Sequence, residues 1–211
     1  MTAITVDIWA DISCPWCFIG KRRFEKALSQ FAGKDAVEVT FRSFVMAPDT
    51  PADFPGTEAE FLTANMGMDA EQVRAMLGQA TTVAAGEGLE YDFDNVKHSN
   101  TNLAHQLLHF AKTQGKQPAL IEVLFSSYFE KGRRVSGVED LVPLAIEAGL
   151  DGEGARAALE TEVYAGGVED DIAQAQAYGI TSVPFFVFNS KYGVSGAQET
   201  AAFLEVLEEL R

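Results

Sequence analysis

The sequence is poor in cysteine, histidine and basic residues, and each shortage narrows what the chain can be. Two cysteines in 211 residues leave no room for a framework of disulfide staples. A chain of this length does without one, since it buries roughly 70% of the surface its unfolded form exposes. Sixteen lysines and arginines stand against thirty-one aspartates and glutamates, a formal charge of −15. So acidic a surface repels phosphate backbones and anionic lipid, which argues against nucleic-acid and membrane partners. No apolar stretch approaches the roughly 18 residues of a membrane span. The segment Met1–Trp9 has neither a basic n-region nor an apolar core of signal-peptide length, so a soluble, cytoplasmic protein is the expectation. The longest acidic run, Glu169-Asp170-Asp171, reads as the first turn of a helix rather than an acidic tail.

What is present is ordinary globular composition, 47% hydrophobic and 22% charged, arranged in two kinds of period. Ile4 to Ala10 alternates as a strand, and Phe18, Ile19, Phe24, Ala27, Leu28 and Phe31 then recur at helical spacing up to Gly33. Val37-Glu38-Val39-Thr40-Phe41 alternates again, which makes the opening β-α-β. A proline-rich loop, Pro48 to Pro55, follows. From Thr57 to about Tyr164 the pattern is helical without repeats, and Thr57…Glu60, Asp69…Gln72 and Ser136…Glu139 have capping-box spacing. After Gly166-Gly167 come a short helix to Tyr178, a β run Val183–Phe188, a second strand Lys191–Ser195, and a last helix from Gln198 to Leu210. The expected architecture is an α/β, thioredoxin-like fold with an inserted all-helical subdomain. Residues 1–56 and 166–211 would supply the two halves of the thioredoxin-like domain and residues 57–165 the insert.

The two cysteines stand together as Cys14-Pro15-Trp16-Cys17, at the step from first strand to first helix. In a reducing compartment such a pair is a poor structural disulfide and a good catalytic or metal-binding one. Disulfide exchange needs a thiolate to attack and a second thiol to release the mixed disulfide. Cys14, at the helix start, would meet unpaired N–H groups and the positive end of the helix dipole, which favour its thiolate. Cys17, one turn inward, would resolve. Pro15 suits the first helical turn, and Trp16 offers a flat apolar edge to a substrate. The competing reading is a zinc centre completed by His105 and His109, an i, i+4 pair. The strand-to-helix setting favours redox chemistry, and no metal is expected.

A second signal is Pro184, early in the β run, where a missing ladder N–H forces the sheet to bend or end. Asp7 and Asp11, on the first strand or its exit, are candidates for a proton relay to Cys17. A buried carboxylate there would have a raised pKa and could accept a thiol proton. Lys21, Arg22 and Arg23 read as surface charges on the first helix.

Four blocks carry a resemblance to a known family. Asp11-Ile12-Ser13-Cys14-Pro15-Trp16-Cys17-Phe18-Ile19-Gly20-Lys21-Arg22-Arg23, Asn100-Thr101-Asn102-Leu103-Ala104-His105, Gly179–Phe188 and Val194–Gln198 closely resemble, in this order, DsbA-like oxidoreductases of the FrnE group. The resemblance implies Cys14 as nucleophile, Cys17 as resolving cysteine and Pro184 as a cis-proline facing them, with the Val183 backbone open to an extended substrate. It also implies that Asn102 and His105 lie near the cleft. Related 2-hydroxychromene-2-carboxylate isomerases and kappa-class glutathione transferases share the architecture but carry serine where this chain has Cys14. The expected function is thiol–disulfide exchange, as oxidoreductase or isomerase, with thiol- or disulfide-containing proteins or small molecules. No cofactor beyond the dithiol is expected, although glutathione is a candidate co-substrate. The alternatives are a glutathione-dependent isomerase or transferase of a small aromatic substrate and a non-catalytic binding module. Reduction potential, client and oligomeric state are not written in the sequence.

Overall fold

A computed structural model of the chain describes residues 3–51 and 54–211. Met1, Thr2, and Ala52 and Asp53 of the proline-rich loop, lie outside the described residues. Four strands form one sheet in the order β2-β1-β3-β4. β1 (Ile4–Ala10) runs parallel to β2 (Val37–Ser43), Ile4 against Val37 through Ala10 against Ser43. β3 (Phe185–Phe188) and β4 (Tyr192–Ser195) continue the sheet antiparallel. The parallel pair requires a crossover, and α1 (Pro15–Gln30) supplies it.

The alternation of β1 assigns its two faces. Val6, Ile8 and Ala10 point to the side covered by α1 and α9 (Thr200–Glu209), where Phe24, Phe186, Phe188 and Phe203 meet ring against ring. Trp9 points to the other side, against Ala175 of α8 (Ala165–Ala177), Ile180 and Val187. β3 is shorter than the β run of the sequence. Val183 and Pro184 stand outside it, because Pro184 has no N–H for a ladder and the Val183 carbonyl is directed to Cys14.

Among the described residues, six helices lie between β2 and α8: α2 (Glu58–Asn65), α3 (Ala70–Gly86), α4 (Asn102–Thr113), α5 (Gln117–Phe129), α6 (Val138–Glu147) and α7 (Gly152–Glu160). α4 is central, packing on α5, α6, α7 and α8. Thr57 and Glu60 form the expected capping box of α2, and Asp69 caps α3. The Ser136…Glu139 spacing is out of register by one: α6 starts at Val138, Asp140 accepts the Gly137 N–H at 3.1 Å, and Glu139 pairs with Arg156 of α7 instead.

The helices share one continuous core with the sheet. Phe18 of α1 is fully buried and stacks on Phe125 of α5 at 5.0 Å between ring centroids. Burial of such a ring contributes roughly 2–3 kcal/mol. The dithiol helix is thus held from both sides, by the sheet and by the helical layer.

Candidate functional site

The site is built where β1 ends. The chain turns through Asp11-Ile12-Ser13, closed by a Cys14 N–H to Asp11 carbonyl bond of 3.1 Å, and α1 begins with Pro15 at its first position. Cys14 is the N-cap residue, with extended backbone (φ −88°, ψ 113°), and Cys17 lies in the first turn with its N–H on the Cys14 carbonyl at 3.0 Å. Both cysteines are free thiols, and both are buried. Burial first, then a hydrogen bond and charge interaction with Cys14, push the Cys17 thiol well above the ordinary range, and the Asp11 charge adds to this. The inner thiol is therefore a proton-bearing group at neutral pH.

The proline loop comes to the same place from the far end of the chain. The Val183–Pro184 peptide bond is cis, and the Val183 carbonyl accepts the Cys14 thiol at 3.6 Å. Pro184 is held in turn by the Gly196 N–H on its carbonyl at 2.8 Å and by Gly20 of α1. A Cβ on Gly20 would lie 2.9 Å from Pro184 Cγ, so only glycine allows helix and proline to approach this closely. Pro15 and Trp16 flank the thiols; Trp16 is half-buried against the core.

The sequence-predicted relay residues separate. Asp7 is on the Trp9 face of β1, away from the cluster containing the thiols, and its carboxylate is bonded to Arg42 at 2.7 Å. It belongs to the sheet, not to the dithiol. Asp11 is buried behind Cys17, but the expected rise in its pKa is reversed. Burial alone would raise it; the His105 hydrogen bond and charge, the Met46 N–H at 2.7 Å and the Thr101 hydroxyl together hold it below the ordinary carboxylate range. His105 is brought to the site, its Nε2 3.4 Å from Asp11 Oδ1. Asn102, the first residue of α4, is exposed, and no interaction among the described residues ties its side chain to the dithiol.

The i, i+4 histidines do not converge on the cysteines. His105 turns to Asp11 and His109 to Asp171, at 3.1 Å, so α4 is bonded to both ends of the sheet domain's chain. Asp171 is accordingly no solvated helix-start charge: it is buried in the second turn of α8, bonded also to Arg42 and to the Ser43 N–H. Lys21 likewise is not a surface charge, being 3% exposed and enclosed by Glu25 and Glu122.

Tyr91 is the site residue that sequence reasoning missed. From the segment after α3, its hydroxyl donates to the Pro15 carbonyl at 2.7 Å, within the Cys-Pro-Trp-Cys loop, while its ring stacks on Phe129. Burial and the nearby thiols push its phenol far upward, which keeps it a donor. Nothing in its sequence setting distinguishes it from a core tyrosine.

Comparison with known proteins supports the same fold. Residues 5–208 match the DSBA-like thioredoxin domain family. The chain is 43% identical to a probable DsbA oxidoreductase from Streptomyces coelicolor, whose crystal structure superposes with a TM-score of 0.91 over 98% of this chain and 89% of that one. It is 31% identical to the uncharacterized Bacillus subtilis protein YwbO over 87% of this chain and 86% of that one. The cytosolic disulfide reductase DsbM from Pseudomonas aeruginosa, in its structure with GSH, has the same fold at 18% identity, with a TM-score of 0.68 over 98% of both chains.

Proposed function

Because this chain belongs to the DSBA-like thioredoxin domain family, we propose that it is a dithiol–disulfide oxidoreductase or isomerase working through Cys14 and Cys17. The observation that carries the reading is the placing of the two thiols. They stand one turn apart at the start of α1, both buried, and the outer one points to the carbonyl just before a cis-proline. Cys14 as thiolate attacks a substrate disulfide, one substrate sulfur leaves as thiolate, and the other stays in a mixed disulfide. Cys17 then loses its proton and attacks Cys14; the second substrate thiolate leaves and the Cys14–Cys17 disulfide remains. The helix N-terminus supports the Cys14 anion in the first step.

Pro184 has the role of holding the Val183 carbonyl at the mouth of the site. An extended substrate takes over the hydrogen bond to Val183 that the Cys14 thiol makes in the resting protein, a one-rung form of strand addition. Pro15 and Trp16 line the entrance. The substrates are disulfide- or thiol-containing proteins or small molecules, with glutathione a co-substrate that returns the pair to the dithiol, and no other cofactor takes part. No helix among the described residues is long and apolar enough to cross a membrane. In a cytoplasmic setting the pair works as reductase or isomerase.

The test is reduction of insulin and of oxidised glutathione by the reduced protein. Wild type turns over both, Cys14→Ser abolishes turnover, and Cys17→Ser accumulates the mixed disulfide, visible as a mass increase of the intact protein. A wild type that exchanges with neither disulfide sinks the reading.

A further inference from the structure

Exchange between the two thiols leaves a cavity of about 450 Å³ in the helical layer without a role. It lies between α2, α3 and residues 91–94. Its floor is apolar, made by Val73 and Leu77 of α3 with Tyr91 and Phe93. Residues 91–94 form a fixed wall: the Asp92 N–H is bonded to the Phe129 carbonyl at 2.8 Å, and its carboxylate accepts from Asn95 at 2.7 Å. Tyr91 joins the cavity to the dithiol. Its side chain lines the cavity while its hydroxyl reaches the Pro15 carbonyl at 2.7 Å, so one residue borders both the cavity and the Cys-Pro-Trp-Cys loop.

The space continues beyond this cavity. Ala59 and Thr63 of α2 also line a second one of about 360 Å³, with Glu60 and Ala64, which makes a groove over α2. On the α3 side the groove is open, since no atom lies within 4 Å of a Cβ placed on Gly78. An extended chain sets alternate side chains into such a groove and runs on toward the thiols. Charge narrows the occupant. Glu60, Asp92 and Asp94 line the groove against a single cation, Arg74. An anionic small disulfide such as oxidised glutathione gains nothing from such a lining, whereas a lysine or arginine beside an apolar residue is attracted. We propose that this groove docks an extended polypeptide segment, apolar and basic, that flanks the reactive cysteine of a client protein. The apolar side chain covers Tyr91 and Leu77, and the basic one faces Asp94.

The inference rests on the exchange reading and narrows its substrates to polypeptides. Two disulfide-bridged peptides, differing only in a lysine or a glutamate beside a leucine near the cysteine, are compared with hydroxyethyl disulfide, which is neutral and too small to fill the groove. Wild type is expected to favour the lysine peptide, through KM rather than kcat. Gly78→Phe fills the cavity from an exposed position on α3. It is expected to lower the ratio of kcat/KM for the lysine peptide to that for hydroxyethyl disulfide on the order of 10-fold, as loss of an apolar contact in a pocket does. Asp94→Lys is expected to invert the preference between the peptides; it changes an exposed side chain, and so tests the same groove should Gly78→Phe fail to fold. A wild type that reduces hydroxyethyl disulfide without favouring the lysine peptide overturns the proposal and leaves exchange standing. So does a ratio that Gly78→Phe leaves unchanged, or a preference that survives Asp94→Lys. A wild type that exchanges with none of the three disulfides overturns the exchange reading instead.

Discussion

Gly20 and Tyr91 carry no exchange chemistry, yet each holds one wall of the dithiol site. Gly20 lets α1 reach Pro184; an alanine there would place its Cβ 2.9 Å from Pro184 Cγ and 3.4 Å from the Ala197 backbone. Overpacking of this kind costs about 1–3 kcal/mol. Gly20→Ala is therefore expected to lower the urea midpoint, and to slow disulfide exchange further by pushing the proline loop away from Cys14. Exchange that keeps the wild-type rate would mean the loop tolerates the shift. Tyr91→Phe deletes the hydroxyl on the Pro15 carbonyl while keeping the ring on Phe129. A stability loss of about 1 kcal/mol is expected, together with faster alkylation of Cys14 as its loop loosens. In the sequence, a glycine within a helical pattern and a tyrosine between Glu90 and Asp92 look like any others.

At the scale of elements, the junctions of α4 decide how the helical layer is joined to the sheet. The helix faces Asp11 through His105 and Asp171 through His109, one contact at each end of the sheet domain's chain. Both carboxylates are held below the ordinary range against the opposing effect of burial: Asp11 by His105, Met46 and Thr101, Asp171 by His109, Ser43 and Arg42. They bind a proton less readily folded than unfolded. Their contribution to stability is complete above the ordinary aspartate value of 3.8 and is lost as pH falls below it through their folded values. Urea midpoints measured from pH 6 downward should fall steeply below about pH 4. Asp171→Asn should be less stable at pH 6 and show a shallower acid decline; identical slopes would remove Asp171 from the account. The i, i+4 spacing of the two histidines was legible as one helix face. That the face would meet two separate carboxylates was not, because Asp11 and Asp171 are 160 positions apart and meet α4 only once the sheet has formed.

For the whole molecule, the helical layer is a second buried polar system as well as a cover. Glu58, on α2, accepts from Tyr128 of α5 at 2.9 Å and lies 2.8 Å from His98, whose Nε2 is 3.1 Å from the Thr50 hydroxyl. The group ties the loop after β2 to three parts of the helical layer. Glu58→Gln replaces an acceptor of two partners by a group that satisfies them incompletely, with an expected cost of about 1–3 kcal/mol. Hydrogen exchange should quicken in α2 and in the loop carrying Thr50 and leave β1 and β3 protected. Quickening spread evenly over the chain would show instead that the layer opens only by global unfolding.

Local pattern was enough to read the strands, the helix bearing the cysteines and the helical block, which follow from periods of two and 3.6 residues. Proline's missing N–H marked a break at Pro184, while its place facing the Cys-Pro-Trp-Cys motif was implied only by the family resemblance. Tertiary structure alone decided which aspartate lies near the thiols, that Lys21 is buried between Glu25 and Glu122 and Asp171 between Arg42 and His109, that His105 and His109 part company, and that Tyr91 reaches the dithiol loop. Asp7, on β1, and Asp11, just past its end, have the same parity along the chain, yet the turn after Ala10 carries only Asp11 round to the thiol side. Charge states and buried contacts depend on what long-range packing places within a few ångströms, and no local pattern encodes that.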